Sequence, residues 1–158
     1  MEDERDLSGQ ALQQAIVSVF TAMAGMSAEI TDTRDVPPFE TPVINARIAF
    51  SGPCSGDLGL MIEQPLAELI GTNMLGFAPG EHLIQDMIDD AVKELLNVVC
   101  GQFITSMFGS KPVFSLNIPQ VFPLSAPVCN ALVQSSPLLA FRVQGFTLLG
   151  SVRIRKAE

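Results

Sequence analysis

Tryptophan and tyrosine are absent from this 158-residue sequence, histidine occurs once, and cysteine occurs three times. With no second histidine and no Cys-x-x-Cys, His82 lacks the companions that a zinc centre or a nucleophilic dyad requires. Cys54, Cys100 and Cys129 are odd in number and widely spaced, which argues against a disulfide framework and for a reducing compartment. Cations are scarce too: nine Lys and Arg stand against seventeen Asp and Glu, a formal charge of −8. Binding a phosphate backbone needs clustered cations, so nucleic acid is excluded as a partner. The one basic cluster, Arg153, Arg155 and Lys156, reads as the solvated side of a last strand.

Long apolar runs are also missing. The stretch from Ala15 to Met26 is interrupted and too short to span a bilayer, and the start, Met1-Glu-Asp-Glu-Arg, is acidic where a secretory signal is basic. The expectation is a cytoplasmic protein with no membrane partner. Gly-x-Ser-x-Gly, the Walker loop and the dinucleotide glycine triplet do not occur. What remains is 47% apolar and 16% charged, with ten phenylalanines. That is the composition of a packed unit, and the length suits one domain over residues 1–158.

Apolar positions recur at helical spacing from Leu7 to about Gly25, with Leu12, Ala15, Ile16, Val19, Phe20 and Met23 on one stripe behind a possible Ser8 cap. A short strand near residues 28–33 and a proline-rich surface connection, Asp35-Val-Pro-Pro-Phe-Glu-Thr-Pro, follow. Ile44, Ala46, Ile48 and Phe50 alternate with polar or small residues, and Leu58, Leu60 and Ile62 repeat the alternation. These two runs predict an antiparallel hairpin with a loop longer than the two-residue type. A helix is expected from Pro65 towards Leu75, then, after Ala78-Pro-Gly, the longest helix, about Leu83 to Met107. Beyond Gly109 the pattern reads as strands: residues 113–118, a loop through Pro119, Pro123 and Pro127, a run from Ala131 to Ser135, and a closing hairpin around Gln144-Gly145. The fold class expected is α+β, a mostly antiparallel sheet packed against a long N-terminal helix and two central helices.

At 100° per residue the longest helix separates into two faces. Ile88, Val92, Leu95, Leu96, Val99, Cys100, Phe103 and Met107 form the apolar arc. Asp90, Glu94, Asn97, Gly101 and Thr105 line the other side, with Glu94 and Asn97 neighbours about 5–6 Å apart at Cβ. An acid-x-x-Asn pair is a common accident on a wet helix face. Here the mid-helix Asn and Gly are both disfavoured by propensity, Gly by about 1 kcal/mol against Ala. A bare Gly101 allows either close approach by another protein or close packing within the fold.

The segment Asp89-Asp90-Ala91-Val92-Lys93-Glu94-Leu95-Leu96-Asn97-Val98-Val99-Cys100-Gly101 resembles the signature helix of the CheC, CheX and FliY phosphatases. The first helix, the Gly56-to-Leu60 hairpin arm, the Ala67-containing helix and the closing hairpin follow the CheX order. A single acid-x-x-Asn makes the chain more similar to CheX than to the two-motif CheC proteins, while Lys93, Leu95-Leu96 and Cys100 depart from the smaller residues common there.

The resemblance implies a phosphatase for the aspartyl-phosphate of a CheY-like response regulator. Glu94 would dock by pairing with the regulator's lysine, Asn97 would orient the attacking water, and Asp90 and Gly101 would lie in the partner-binding surface. It further implies no cofactor on this chain, Mg2+ held by the regulator, and pairing into homodimers by strand addition. The alternatives are a catalytically silent regulator-binding module and a structural component like the flagellar switch proteins.

Overall fold

The computed structural model describes residues 2–78 and 80–156, with side chains from Asp6 onward. Pro79 of the expected Ala78-Pro-Gly break, and the side chains of the acidic start, therefore lie outside the described residues.

Helix α1 (Glu2–Val19) continues through a widened turn, Phe20–Ala24, that Gly25 closes in the left-handed region, its N–H donating to the Phe20 carbonyl. Ser8 is buried inside α1 rather than capping it, because the helix starts six residues earlier at Glu2. Strand β1 (Ala28–Thr31) leads through one tight helical turn, Thr33–Asp35, to the proline-rich connection and then β2 (Val43–Ser51) and β3 (Cys54–Glu63). Helix α2 (Gln64–Leu75) carries Pro65 in its first turn, and α3 (Gln85–Phe108) is the longest element. After it come β4 (Ser115–Leu116), β5 (Gln120–Leu124), α4 (Ala126–Ser135), β6 (Leu139–Val143) and β7 (Phe146–Lys156).

The β2–β3 loop is longer than the two-residue type, as expected: Ser51 pairs with Ser55, which leaves Gly52, Pro53 and Cys54 between them. Gly56 lets the strands beside it pack closely, since a Cβ there would run into the Arg153 carbonyl and the Phe50 ring. Two expectations for the later part of the chain fail. The expected strand over 113–118 shrinks to two residues. The run from Ala131 to Ser135 is the end of α4, not a strand: the Ser125 hydroxyl accepts from the Val128 N–H at 3.4 Å, and Pro127 sits in the first turn where its missing donor costs nothing.

Among the described residues seven strands form one antiparallel sheet in the order β1-β6-β7-β3-β2, with β4 and β5 both paired along the outer edge of β2. Alternation sends Ile44, Ala46, Ile48 and Phe50 of β2, Leu58, Leu60 and Ile62 of β3, and Leu148 of β7 to one face. The apolar stripes of α1, α2 and α3 bury that face, with Leu12, Ile16, Phe20, Ile70, Leu96 and Phe103 sealed from solvent. Each such side chain contributes about 1.5–3 kcal/mol of transfer free energy. Gly150 lets α1 settle close to the sheet, since a Cβ there would stand 3.0 Å from Ile16 Cδ1. On the second face α4 covers a smaller cluster of Phe39, Val43, Met61, Cys129, Ala140 and Leu149. Asn130 fixes the proline-rich connection over it, its amide exchanging bonds of 2.8 and 3.0 Å with the Phe39 backbone.

Candidate functional site

Helix α3 packs against both α1 and α2. Its buried arc is as the period requires: Ile88, Val92, Leu95, Leu96, Val99, Cys100 and Phe103 are all buried, and Met107 is half-buried. Amide contacts fix its start against α2, with Gln64 Nε2 donating to Gln85 Oε1 at 2.9 Å and Gln85 Nε2 to Asp89 Oδ1 at 2.8 Å. A helix gripped by the sheet beneath and by a helix on each side presents one remaining ridge.

That ridge carries Asp90, Glu94, Asn97, Gly101 and Thr105. Asp90, Glu94, Asn97 and Thr105 are exposed and Gly101 is partly so. Among the described residues neither Glu94 nor Asn97 has a hydrogen-bond or ion-pair partner. Asp90 meets Lys93 at 4.0 Å, a pair at 78% and 37% side-chain exposure that contributes little. A Cβ built on Gly101 finds nothing within 4 Å. Close packing inside the fold is thereby removed as the reason for a glycine here, and an open approach to the helix backbone remains.

Electrostatically the ridge is unbalanced. Asp86, Asp90 and Glu94 follow one another at four-residue intervals, a spacing at which like charges repel by a few tenths of a kcal/mol per pair. Lys93 offsets only part of it. A surface with adjacent carboxylates, of which Asp90 alone has a weak ion pair, and a carboxamide is suited to receive a cation on another molecule, with the amide left to bond donor and acceptor alike. The decisive geometry is that the two groups singled out by their spacing stand side by side, outward and uncommitted.

The family model described as chemotaxis phosphatase CheX matches residues 44–134, a span that holds nearly all of β2, then β3, α2 and the whole of α3, and exceeds half the chain. The chain belongs to the CheX family. Solved CheX structures share its fold. The chemotaxis protein CheX from Desulfovibrio desulfuricans superposes with a TM-score of 0.69 at 18% identity, covering 94% of this chain and 99% of that one. CheX of Borrelia burgdorferi, solved as a CheX–CheY–BeF3–Mg2+ complex, gives 0.68 at 14% identity over 93% and 97%. FliY of Thermotoga maritima gives 0.61 at 15% over 99% and 91%. No curated protein matches the chain by sequence. The α+β class with its antiparallel sheet is the CheX architecture, including α4, which sequence reasoning missed.

The remaining candidates gather no chemistry. His82 is exposed in the connection before α3. Burial pushes the Cys100 thiol up to about 12 and, with Glu63 nearby, the Cys129 thiol up to about 11, so neither supplies a thiolate at neutral pH. Among the described residues no three His, Cys, Asp or Glu side chains are placed to hold a metal ion, and no helix is long and apolar enough to cross a membrane. A concavity of about 590 Å³ opens on the second face of the sheet beside Arg47, Asp57 and Gln120, away from every residue predicted for the site. Arg155 reaches Asp57 there at 3.3 Å, so part of the basic cluster is ion-paired rather than only solvated.

Proposed function

We propose that this protein accelerates hydrolysis of the aspartyl-phosphate on a CheY-like response regulator by inserting Glu94 and Asn97 into the phosphorylated pocket. What carries the reading is the ridge itself: two polar side chains one turn apart, exposed and without partners, on the helix that lies within the CheX-matched segment. The Borrelia CheX, of the same fold, is solved bound to CheY with beryllofluoride and magnesium, which supports a CheY-like partner here.

Phosphoryl transfer needs positioning and charge stabilisation more than covalent help, since its transition state is loose. The carboxamide oxygen of Asn97 accepts from the attacking water while its NH2 donates to a phosphoryl oxygen, holding the water in line. The water oxygen bonds to phosphorus as the bond to the regulator's aspartate breaks, and inorganic phosphate leaves with the water's protons shared between it and solvent. Glu94 pairs with the lysine of the regulator's pocket and sets the docked register, where a desolvated ion pair favours specificity over affinity. Asp90 extends the acidic approach and Gly101 lets the partner come close to the helix. Mg2+ belongs to the regulator, and this chain contributes no cofactor. In the same proposal residues 1–158 are one domain that works in the cytoplasm and pairs into a homodimer through an outer strand of the sheet.

Phosphate release from candidate phosphorylated regulators tests it. Asn97→Ala is expected to abolish the acceleration while still binding, and Glu94→Ala to weaken docking. A silent regulator-binding module or a switch-like structural component predicts no acceleration by the wild-type protein, and wild-type activity in both variants would refute the roles of the two side chains.

A further inference from the structure

Two turns beyond Asn97 the ridge runs into a hollow of about 250 Å³, lined by Gly101, Ile104 and Thr105 of α3 and by Pro112, Phe114 and Leu116 of the following segment, among others. It is smaller than the roughly 300–1,000 Å³ of small-molecule sites. Every residue lining it is uncharged, although it adjoins a helix face bearing three carboxylates.

The wall opposite α3 is held in place. Phe114 stacks on Phe108 at 5.1 Å between ring centres and meets Phe50 edge-on at 6.0 Å, while Phe50 touches Phe103 at 6.2 Å. Gly52 allows this approach, because a Cβ there would stand 2.7 Å from the Val113 carbonyl oxygen and 2.9 Å from the Phe114 ring. The Asn117 N–H adds a 2.9 Å bond to the Ala49 carbonyl. An aromatic ladder and an obligatory glycine thus keep residues 112–117 against the end of α3, leaving the hollow open where Gly101 has no side chain.

We propose that this hollow takes an apolar side chain of the docked response regulator, as a second anchor beside Glu94 and Asn97 that helps decide which regulator is accepted. The inference rests on the ridge being the docking surface. Continuity is the reason to assign the hollow to that partner: Gly101 and Thr105 belong to the ridge and to the hollow at once. At 1.5 Å per residue Thr105 lies only about 12 Å along the helix from Asn97, well inside a footprint of roughly 800 Å² per partner. Interfaces concentrate their energy in a few desolvated pockets of this kind.

The test measures binding of a CheY-like regulator loaded with beryllofluoride and Mg2+, alongside phosphate release, for Gly101→Leu, Thr105→Lys and Asn97→Ala. Gly101→Leu fills the hollow from a position where a Cβ meets nothing, and Thr105→Lys puts a charge at it without touching a glycine. Each is expected to weaken binding about tenfold or more while melting at or near the wild-type temperature, and Thr105→Lys, which leaves the docking glycine in place, is expected to keep the wild-type release rate at saturation. Asn97→Ala is expected to bind and not release. Unchanged affinity in both hollow variants, with release lost in Asn97→Ala, overturns the hollow and leaves the ridge reading intact. Release that survives Asn97→Ala while both hollow variants lose binding supports the hollow and overturns the catalytic assignment.

Discussion

Arg47 of β2 lies directly over Gly59 of β3, its registered neighbour, so closely that a Cβ on Gly59 would collide with the guanidinium and the end of its stem. From there the guanidinium donates to Ser151 Oγ at 2.9 Å and to Asp57 Oδ1 at 2.5 Å, tying β2, β3 and β7 together on the second face.

Gly59→Ala is therefore expected to push the flexible guanidinium aside at a cost of about 0.5–1.5 kcal/mol, the usual net worth of a hydrogen bond it would give up. Removing the stem by Arg47→Ala takes away the obstacle, so the double variant is expected to lose less than the sum of the two single losses. Urea midpoints for the four proteins of the cycle check this, and strict additivity would rule the contact out as the cause.

Stability should be nearly indifferent to the proposed catalytic pair. Both side chains are exposed and unpaired, so Glu94→Ala is expected within about 0.5 kcal/mol of wild type. Asn97→Ala should gain up to about 0.7 kcal/mol, because alanine is the better helix former. Thermal melts of the variants used in the release assay decide the point, and a large loss in either would show a structural role the exposure does not reveal.

The buried thiols give the fold a defined weakness in alkali. Cys100 is raised from an ordinary 9.0 to about 12 in the folded protein, chiefly by desolvation, and Cys129 to about 11. Below pH 9 both states keep their thiol protons and the contribution is level. Between about 9 and 12 the unfolded chain has released protons that the folded chain retains, so stability falls as pH rises. No tyrosine titrates in the same window. Denaturant midpoints under reducing conditions at pH 8 and pH 10.5 should separate for the wild type, and separate less when both cysteines are replaced by alanine.

The ridge of α3 was legible because one period governs both its sides: the same 100° step that buries Leu95, Leu96 and Val99 must expose Glu94 and Asn97. The β2–β3 pair was legible for the analogous reason, with a period of two. Helix α4 was not, since its short apolar run fits a strand or a helix equally well. Its prolines read as loop until Ser125 is recognised as a cap and Pro127 as a first-turn residue. Pro123, for its part, is tolerated in β5 because that strand lies at the sheet edge. The wall of the hollow was missed because Phe114 and Leu116 look like strand residues. Their position depends on Gly52, more than sixty residues earlier in the chain, and no local pattern joins the two.

Strand β3 bonds on one side to its immediate predecessor and on the other to β7, in a register that joins Ile62 to Leu148 and Cys54 to Lys156. As the chain emerges from a ribosome at roughly 5–20 residues per second, the middle of the sheet must wait several seconds with one edge bare. Nascent chains released early, before Phe146–Lys156 has been made, would carry that bare edge into the cell and would be natural clients for chaperones.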